Sequence, residues 1–183
     1  MPSPRPLQLR RFERADFPRL LAEAVSPEFL QQWAGGLFVY PLDVAQLERY
    51  LLTAVGDPPS NRLYTALDEA GQPVGHIELA RIDRRNRSAS VARVLVFAER
   101  RGQGYGSALL TQALRVGFDE LGLHRIELVV FDFNRPAVAA YQRAGMVIEG
   151  HLRDVRLMGD GYWSVYQMSM LETDWRGRAE HSE

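Results

Sequence analysis

Hydrophobic spacing changes twice along the chain and divides it into three stretches. In the first, apolar positions recur at helical intervals. Asp16 can cap a helix running to about Val25, with Leu20, Leu21 and Ala24 as its buried stripe. Ser26, Pro27 and Glu28 mark a second helix start running to Trp33, since serine caps a helix and proline fits its first turn. Asp43-Val-Ala-Gln46 has capping-box spacing and opens a third helix through Leu52, after which Gly56-Asp-Pro-Pro-Ser60 breaks the pattern. The middle stretch alternates or runs apolar over strand lengths at Arg62–Leu67, Val74–Ile82 and Ser90–Phe97, with turns at Asp68-Glu-Ala-Gly71 and Arg84-Arg-Asn-Arg87. Three such strands in series predict an antiparallel meander.

In the third stretch a long helix is predicted from about Gly104 to Leu121, its apolar face carrying Leu109, Leu110, Ala113, Leu114, Phe118 and Leu121, with Gly122 beyond its end. Ile126–Phe131 then returns as a strand, and strand–helix–strand implies a right-handed crossover and a parallel pair. A short helix spans Pro136–Ala144 and stops at Gly145. Val147–Leu157 and Tyr162–Leu171 form a hairpin across Gly159-Asp-Gly161. The sum is a mixed sheet with helices packed on it, one α+β domain. Residues 1–6 and 176–183 read as flexible tails.

Composition narrows the chemistry. A chain of 183 residues fits one domain and buries enough surface to need no disulfide or metal staple. Its 22 basic and 23 acidic residues nearly cancel, which argues against a nucleic-acid partner. There is no cysteine, which excludes a thiolate nucleophile, a Cys-ligated zinc and a disulfide. All 22 basic residues are arginine, so a Schiff-base lysine and a Walker lysine are excluded too. His76, His124, His151 and His181 lack zinc-hydrolase spacing, and no metal is expected. The start lacks a hydrophobic signal region and no apolar run reaches about 18 residues, so the expectation is a cytoplasmic protein with no membrane partner.

The most informative segment is Val94-Leu-Val-Phe-Ala-Glu-Arg-Arg101-Gly-Gln-Gly104-Tyr-Gly106-Ser107, a strand entering a Gly-rich turn that opens a helix. The first helical N–H groups lack intrahelical partners and sit at the positive end of the macrodipole, so the turn suits an anion. Glycine at 102, 104 and 106 removes the Cβ atoms that would hold a phosphate off the backbone, and Arg101 adds positive charge. A dinucleotide fingerprint starting at Gly102 would need glycine where Ser107 stands, and the opening βαβ unit is missing.

Arg101-Gly-Gln-Gly104-Tyr-Gly106 matches a Q/R-x-x-G-x-G/A signature, and Asn134-Arg-Pro-Ala-Val-Ala-Ala-Tyr141-Gln-Arg-Ala-Gly145-Met146 matches an asparagine-to-tyrosine segment. Together they resemble the GNAT (Gcn5-related) N-acetyltransferases, in the branch of ribosomal-protein N-terminal and diamine acetyltransferases, over roughly residues 7–172. Met146 stands where that family usually has Phe, a tolerated core exchange. The resemblance implies a mostly antiparallel sheet of six or seven strands with a central parallel pair, flanked by about four helices. It also implies acetyl-CoA as cosubstrate. Backbone N–H groups of Gly102, Gln103, Gly104, Tyr105, Gly106 and Ser107 would hold the pyrophosphate, Val94–Val96 would pair with the pantetheine arm, and an N–H of Leu95 or Val96 would face the acetyl carbonyl oxygen. Asn134 would bond the arm, cap the next helix, or both.

Tyr141 is then the candidate general acid, returning a proton to the departing thiolate. Glu78, in Gly75-His-Ile-Glu-Leu79, is the best carboxylate for a base. It shares a strand face with His76 and Ala80, opposite Ile77 and Leu79; the alternative is a surface glutamate paired with Arg81 or Arg93. Without cysteine, transfer to a primary amine is expected to be direct, within a ternary complex. The first helices and the last hairpin would form the acceptor cleft, with Phe29, Trp33, Phe38, Tyr40, Tyr162, Trp163 and Tyr166 as wall or simply core. Arg84-Arg-Asn-Arg87 is a solvated turn or a contact for an acidic group. No dense acidic run favours a polyamine, so a peptide or protein N-terminus ranks ahead of a small amine. The alternative class is a non-catalytic CoA-binding module. Homodimers are common in such folds, and nothing in the residues fixes the oligomeric state.

Overall fold

The computed structural model describes residues 6–180. Its frame is one seven-stranded sheet in the order β1-β2-β3-β4-β5-β7-β6. The strands are β1 (Gln8–Arg11), β2 (Arg62–Leu67), β3 (Pro73–Asp83), β4 (Ser88–Val96), β5 (Arg125–Phe131), β6 (Val147–Met158) and β7 (Gly161–Leu171). Neighbours run antiparallel except β4 and β5, the expected parallel pair. Three helices, α1 (Phe17–Glu23), α2 (Pro27–Ala34) and α3 (Val44–Leu52), pack on one face. On the other lie α4 (Tyr105–Arg115), α5 (Arg135–Arg143) and α6 (Glu172–Glu180). There are six α-helices among the described residues where about four were expected.

The caps explain where helices start. Ser26 Oγ accepts the Phe29 N–H at 3.1 Å, and Asp43 Oδ1 accepts that of Gln46 at 2.8 Å, as their spacing predicts. Gln46 does not close the box: its amide bonds the backbone of Val39 and Pro41. Asp16 departs further from expectation. Its carboxylate makes no cap for α1 but accepts from Arg10 at 2.7 Å, from the Glu13 N–H at 2.9 Å and from Thr65 Oγ1 at 2.8 Å, tying a 3-10 turn to β2.

Other differences have local causes. β1 was not expected, because Gln-Leu-Arg-Arg on a sheet edge carries no apolar alternation. The helix predicted to reach Leu121 ends its α-geometry at Arg115 and continues as a π-turn, Val116–Glu120, with the Leu121 N–H on Val116 O at 3.0 Å. A Cβ on Gly117 would collide with Ile126, so this wider turn seats directly on β5. The stretch from Arg176, expected as a tail, extends α6 to Glu180; Trp175 stacks on Phe118 at 5.7 Å and donates to Asp119 at 2.8 Å. The tails at 1–5 and 181–183 lie outside the described residues.

One irregularity positions the site. β4 pairs with β3 along its length, yet two of its residues, Arg93 and Val94, stand against the single residue Ile77 between the pairs Glu78↔Ala92 and His76↔Leu95. Arg93 takes a left-handed φ of 49° in this bulge. On the other edge, β4 meets β5 only at Ser88↔Arg125, Ala89↔Ile126 and Ser90↔Glu127. Beyond Ser90 the two parallel strands are no longer paired, so the later part of β4, bulge included, has one open edge.

Candidate active site

Strand alternation decides which groups face that opening. The Phe97 N–H bonds Val74 O at 3.0 Å, so Phe97 and, two back, Leu95 turn their polar atoms toward β3. Val96 and Val94 turn theirs toward the gap. Immediately beyond, Gly102 and Gly104 adopt φ of 72° and 86°, which a side chain would resist. The first bond back into this turn is Ala108 N–H to Gly104 O at 3.4 Å. Among the described residues, the N–H groups of Gly102, Gln103, Gly104, Gly106 and Ser107 donate to no protein acceptor. Five donors thus crowd the positive end of α4, and an anion with several oxygens is what they can satisfy.

The surrounding side chains hold this row in place. A Cβ on Gly106 would touch both Val96 and Ala140 at 3.9 Å, so the start of α4 lies between the end of β4 and α5. Ser107 Oγ reaches Ala140 O at 3.4 Å, Gln103 binds Glu99 O at 3.0 Å, and the Tyr105 side chain is buried in the core. Arg101 is not poised over the glycines. Its guanidinium bonds Glu23 Oε2 at 2.9 Å and Val96 O at 3.0 Å, and lies 5.6 Å from the Phe29 ring centre. Glu23 is buried and also accepts the Ala98 N–H at 3.0 Å, so Arg101 fastens the turn to α1 rather than offering its charge freely.

Asn134 Oδ1 accepts the Ala137 N–H at 3.3 Å and caps α5. Tyr141, on α5, is buried, and among the described residues its hydroxyl makes no hydrogen bond. Burial alone pushes its proton affinity up, so the phenol stays protonated at neutral pH. Met146 fills the aliphatic core as a phenylalanine would.

Glu78 is not a surface residue: it is only 1% exposed. The Tyr50 hydroxyl donates to its Oε2 at 2.8 Å and Arg93 Nε lies 3.2 Å away, while Arg81 turns instead to Ser90 at 2.7 Å. Burial raises its proton affinity; Arg93 and the Tyr50 bond oppose that rise. His76 is equally buried, with Nε2 at 2.9 Å from the Tyr50 oxygen, and burial lowers its pKa to about 3. The sequence reading had no role for Tyr50, and only Leu47 three residues earlier on the same buried stripe hints that its ring points inward. It also missed Trp33 Nε1, which bonds Arg93 O at 3.1 Å and steadies the bulge, and the Glu23 anchor.

Of the proposed aromatic wall, Trp33 and Phe38 are core, while Tyr40 and Tyr162 are exposed and Trp163 packs edge-on against Phe131 and Phe133. The Arg84–Arg87 turn lies at the other end of β4 from the glycines, with Arg87 engaged by Gly122 O and Glu172. Among the described residues no cluster suits a metal ion, and no helix is long and apolar enough to cross a membrane.

A family model described as Acetyltransferase (GNAT) family matches residues 9–146, a span containing the bulge, the glycine turn and α5. The chain belongs to the GNAT acetyltransferase family. It is similar to the spermidine N(1)-acetyltransferase of Vibrio cholerae serotype O1, 31% identical over 121 residues that cover 66% of this chain and 69% of that protein. It is also similar to the L-amino acid N-acetyltransferase AaaT of Escherichia coli K12, 30% identical over 63% of this chain and 70% of that one. A crystal structure of the Vibrio cholerae spermidine N-acetyltransferase in complex with CoA and spermine superimposes with a TM-score of 0.82, at 27% identity over 93% of this chain and 98% of the other. This GNAT protein is therefore an acetyl-CoA-dependent N-acetyltransferase. The matched relatives are enzymes, which supports turnover over the non-catalytic module.

Proposed function

We propose that the glycine turn and the open edge of β4 hold acetyl-CoA while the enzyme passes its acetyl group directly to a primary amine. The carrying observation is the set of unspent N–H groups of Gly102, Gln103, Gly104, Gly106 and Ser107, at a turn wedged between Val96 and Ala140. These amides, with that of Tyr105, would neutralise the pyrophosphate. Val94 has backbone groups facing the gap and would pair with the arm, while the Val96 carbonyl is held by Arg101. Leu95 faces β3, so the Val96 N–H is the donor for the acetyl oxygen, where it steadies the charge gained on attack. The Asn134 carbonyl serves α5, which leaves its amide N–H groups for the arm.

Glu78 takes the amine proton and Tyr141 returns one to the thiolate. Because Glu78 is buried, its proton arrives through water rather than by direct contact. An amine of pKa near ~10 costs on the order of 4 kcal/mol to reach its free base at pH 7, whereas an α-amino group near ~8 costs about 1.4 kcal/mol. Asp16, Glu23 and Glu78, the buried carboxylates of this half, face Arg10, Arg101 and Arg93. With their charge already matched, an acceptor bearing one amine, such as a peptide N-terminus, fits better than a polycation. A screen of peptides, polyamines, amino acids and aminoglycosides with acetyl-CoA, following thiol release, tests this. We expect the fastest release with a single α-amine and intersecting initial-rate lines. Parallel lines would replace direct transfer by a covalent intermediate, and no release with any amine would restore the binding-module reading.

A further inference from the structure

Glu78 is oriented by groups that the reaction above leaves idle. From α3 comes the Tyr50 hydroxyl at 2.8 Å, and from β4 comes Arg93 at 3.2 Å. On β3 itself His76 reaches the same phenol at 2.9 Å, and Asp16, bonded to Thr65 opposite His76 in the ladder, adds its charge from the turn before α1. Glu78, Tyr50 and His76 are all nearly inaccessible to water.

Proton counting fixes the direction of these bonds. An ionised carboxylate only accepts, so the single phenol proton points to Glu78. The phenol oxygen must then accept from His76 Nε2. A neutral imidazole has one N–H, so the proton sits on Nε2 and Nδ1 is a bare lone pair. His76 Nδ1 is indeed buried without a hydrogen-bond partner, and this assignment strands a lone pair there rather than an N–H.

We infer that Tyr50, itself oriented by His76, is a positioning residue that keeps the Glu78 carboxylate aimed and ready to receive the amine proton. The inference rests on Glu78 being the base. The phenol favours the charged carboxylate, so its loss makes Glu78 hold a proton to higher pH. Tyr50→Phe removes one oxygen and keeps the ring against Phe38 and Phe12.

The pH dependence of kcat at saturating amine, from which the ionisation of the free amine drops out, separates the possibilities. In Tyr50→Phe the acidic limb is expected to move upward by about one pH unit, with kcat lowered about tenfold and KM for acetyl-CoA unchanged. Glu78→Gln is expected to abolish that limb. If Glu78→Gln abolishes the limb while Tyr50→Phe lowers only Tm and leaves it in place, the positioning role is overturned and the base survives. If Glu78→Gln leaves the limb unmoved, the base assignment falls and this inference with it. Should Tyr50→Phe fail to fold, His76→Leu decides: a smaller upward shift supports the relay of orientation, and an unmoved limb overturns it.

Discussion

Toward α4 and α5, the sheet presents Val74, Ile77 and Leu79 of β3 to a core of largely aliphatic side chains. Toward α1, α2 and α3 the same strand presents His76 and Glu78, enclosed by the rings of Phe12, Trp33, Phe38 and Tyr50. The first side is built by transfer of apolar surface from water, which stabilises without direction. The second side gives up part of that gain. It holds a histidine neutral and an ion pair out of water, and a buried ion pair returns little net stability. What it obtains is orientation: every polar group there has few partners and therefore few alternatives. The aliphatic side holds the glycine turn through Leu109 and Leu110 of α4, and the aromatic side holds the bulge through Trp33 and Arg93.

If this division is right, damage on each side should read out differently. Leu110→Ala, at a side chain with no exposure, should cost about 2–5 kcal/mol in urea unfolding yet leave the pH dependence of turnover where it was. A shifted profile would show that the aliphatic side also tunes the chemistry. Tyr141 is the informative exception, since it sits in the aliphatic core. Tyr141→Phe should reduce turnover about 10- to 100-fold, about 1.4–2.7 kcal/mol, with little change in Tm, because its hydroxyl makes no bond to lose. Wild-type turnover would remove Tyr141 from the mechanism. Smallest is the acid response of His76. Its folded pKa, about 3, lies below the ordinary 6.5, so only the unfolded chain takes up a proton between them. Stability from this group is complete above pH 6.5 and is lost as pH falls toward 3. By pH 5.5 the loss is about 1.4 kcal/mol; it should be absent in His76→Gln, so the stability difference between wild type and variant should change by that amount between pH 7 and pH 5.5.

Local signals carried much of the architecture. Ser26 and Asp43 cap helices as their spacing requires, Gly104 and Gly145 take left-handed conformations at helix ends, and Ile126–Phe131 returns parallel after α4. The donor-rich turn was equally legible, because the geometry of the helix start itself leaves the N–H groups of Gly102, Gln103, Gly104, Gly106 and Ser107 without a protein acceptor. Asp16 was misread for the converse reason. An aspartate before an apolar stripe has cap spacing, but Arg10 and Thr65 compete for its oxygens and win once β1 and β2 are paired.

The order of elements and the glycine turn at the start of α4 follow from residues close in the chain, and the lack of a thiolate nucleophile from a residue type missing from it, since helix starts, turns and nucleophile inventories depend on little else. Folding alone decided that Glu78 is buried, that Tyr50, 28 residues earlier, donates to it, and that Arg101 spends its charge on Glu23, 78 residues away. It also decided that β4 parts from β5 after Ser90 and bulges against β3 at Arg93. Desolvation and long-range pairing set those outcomes, and both depend on which distant side chains arrive together.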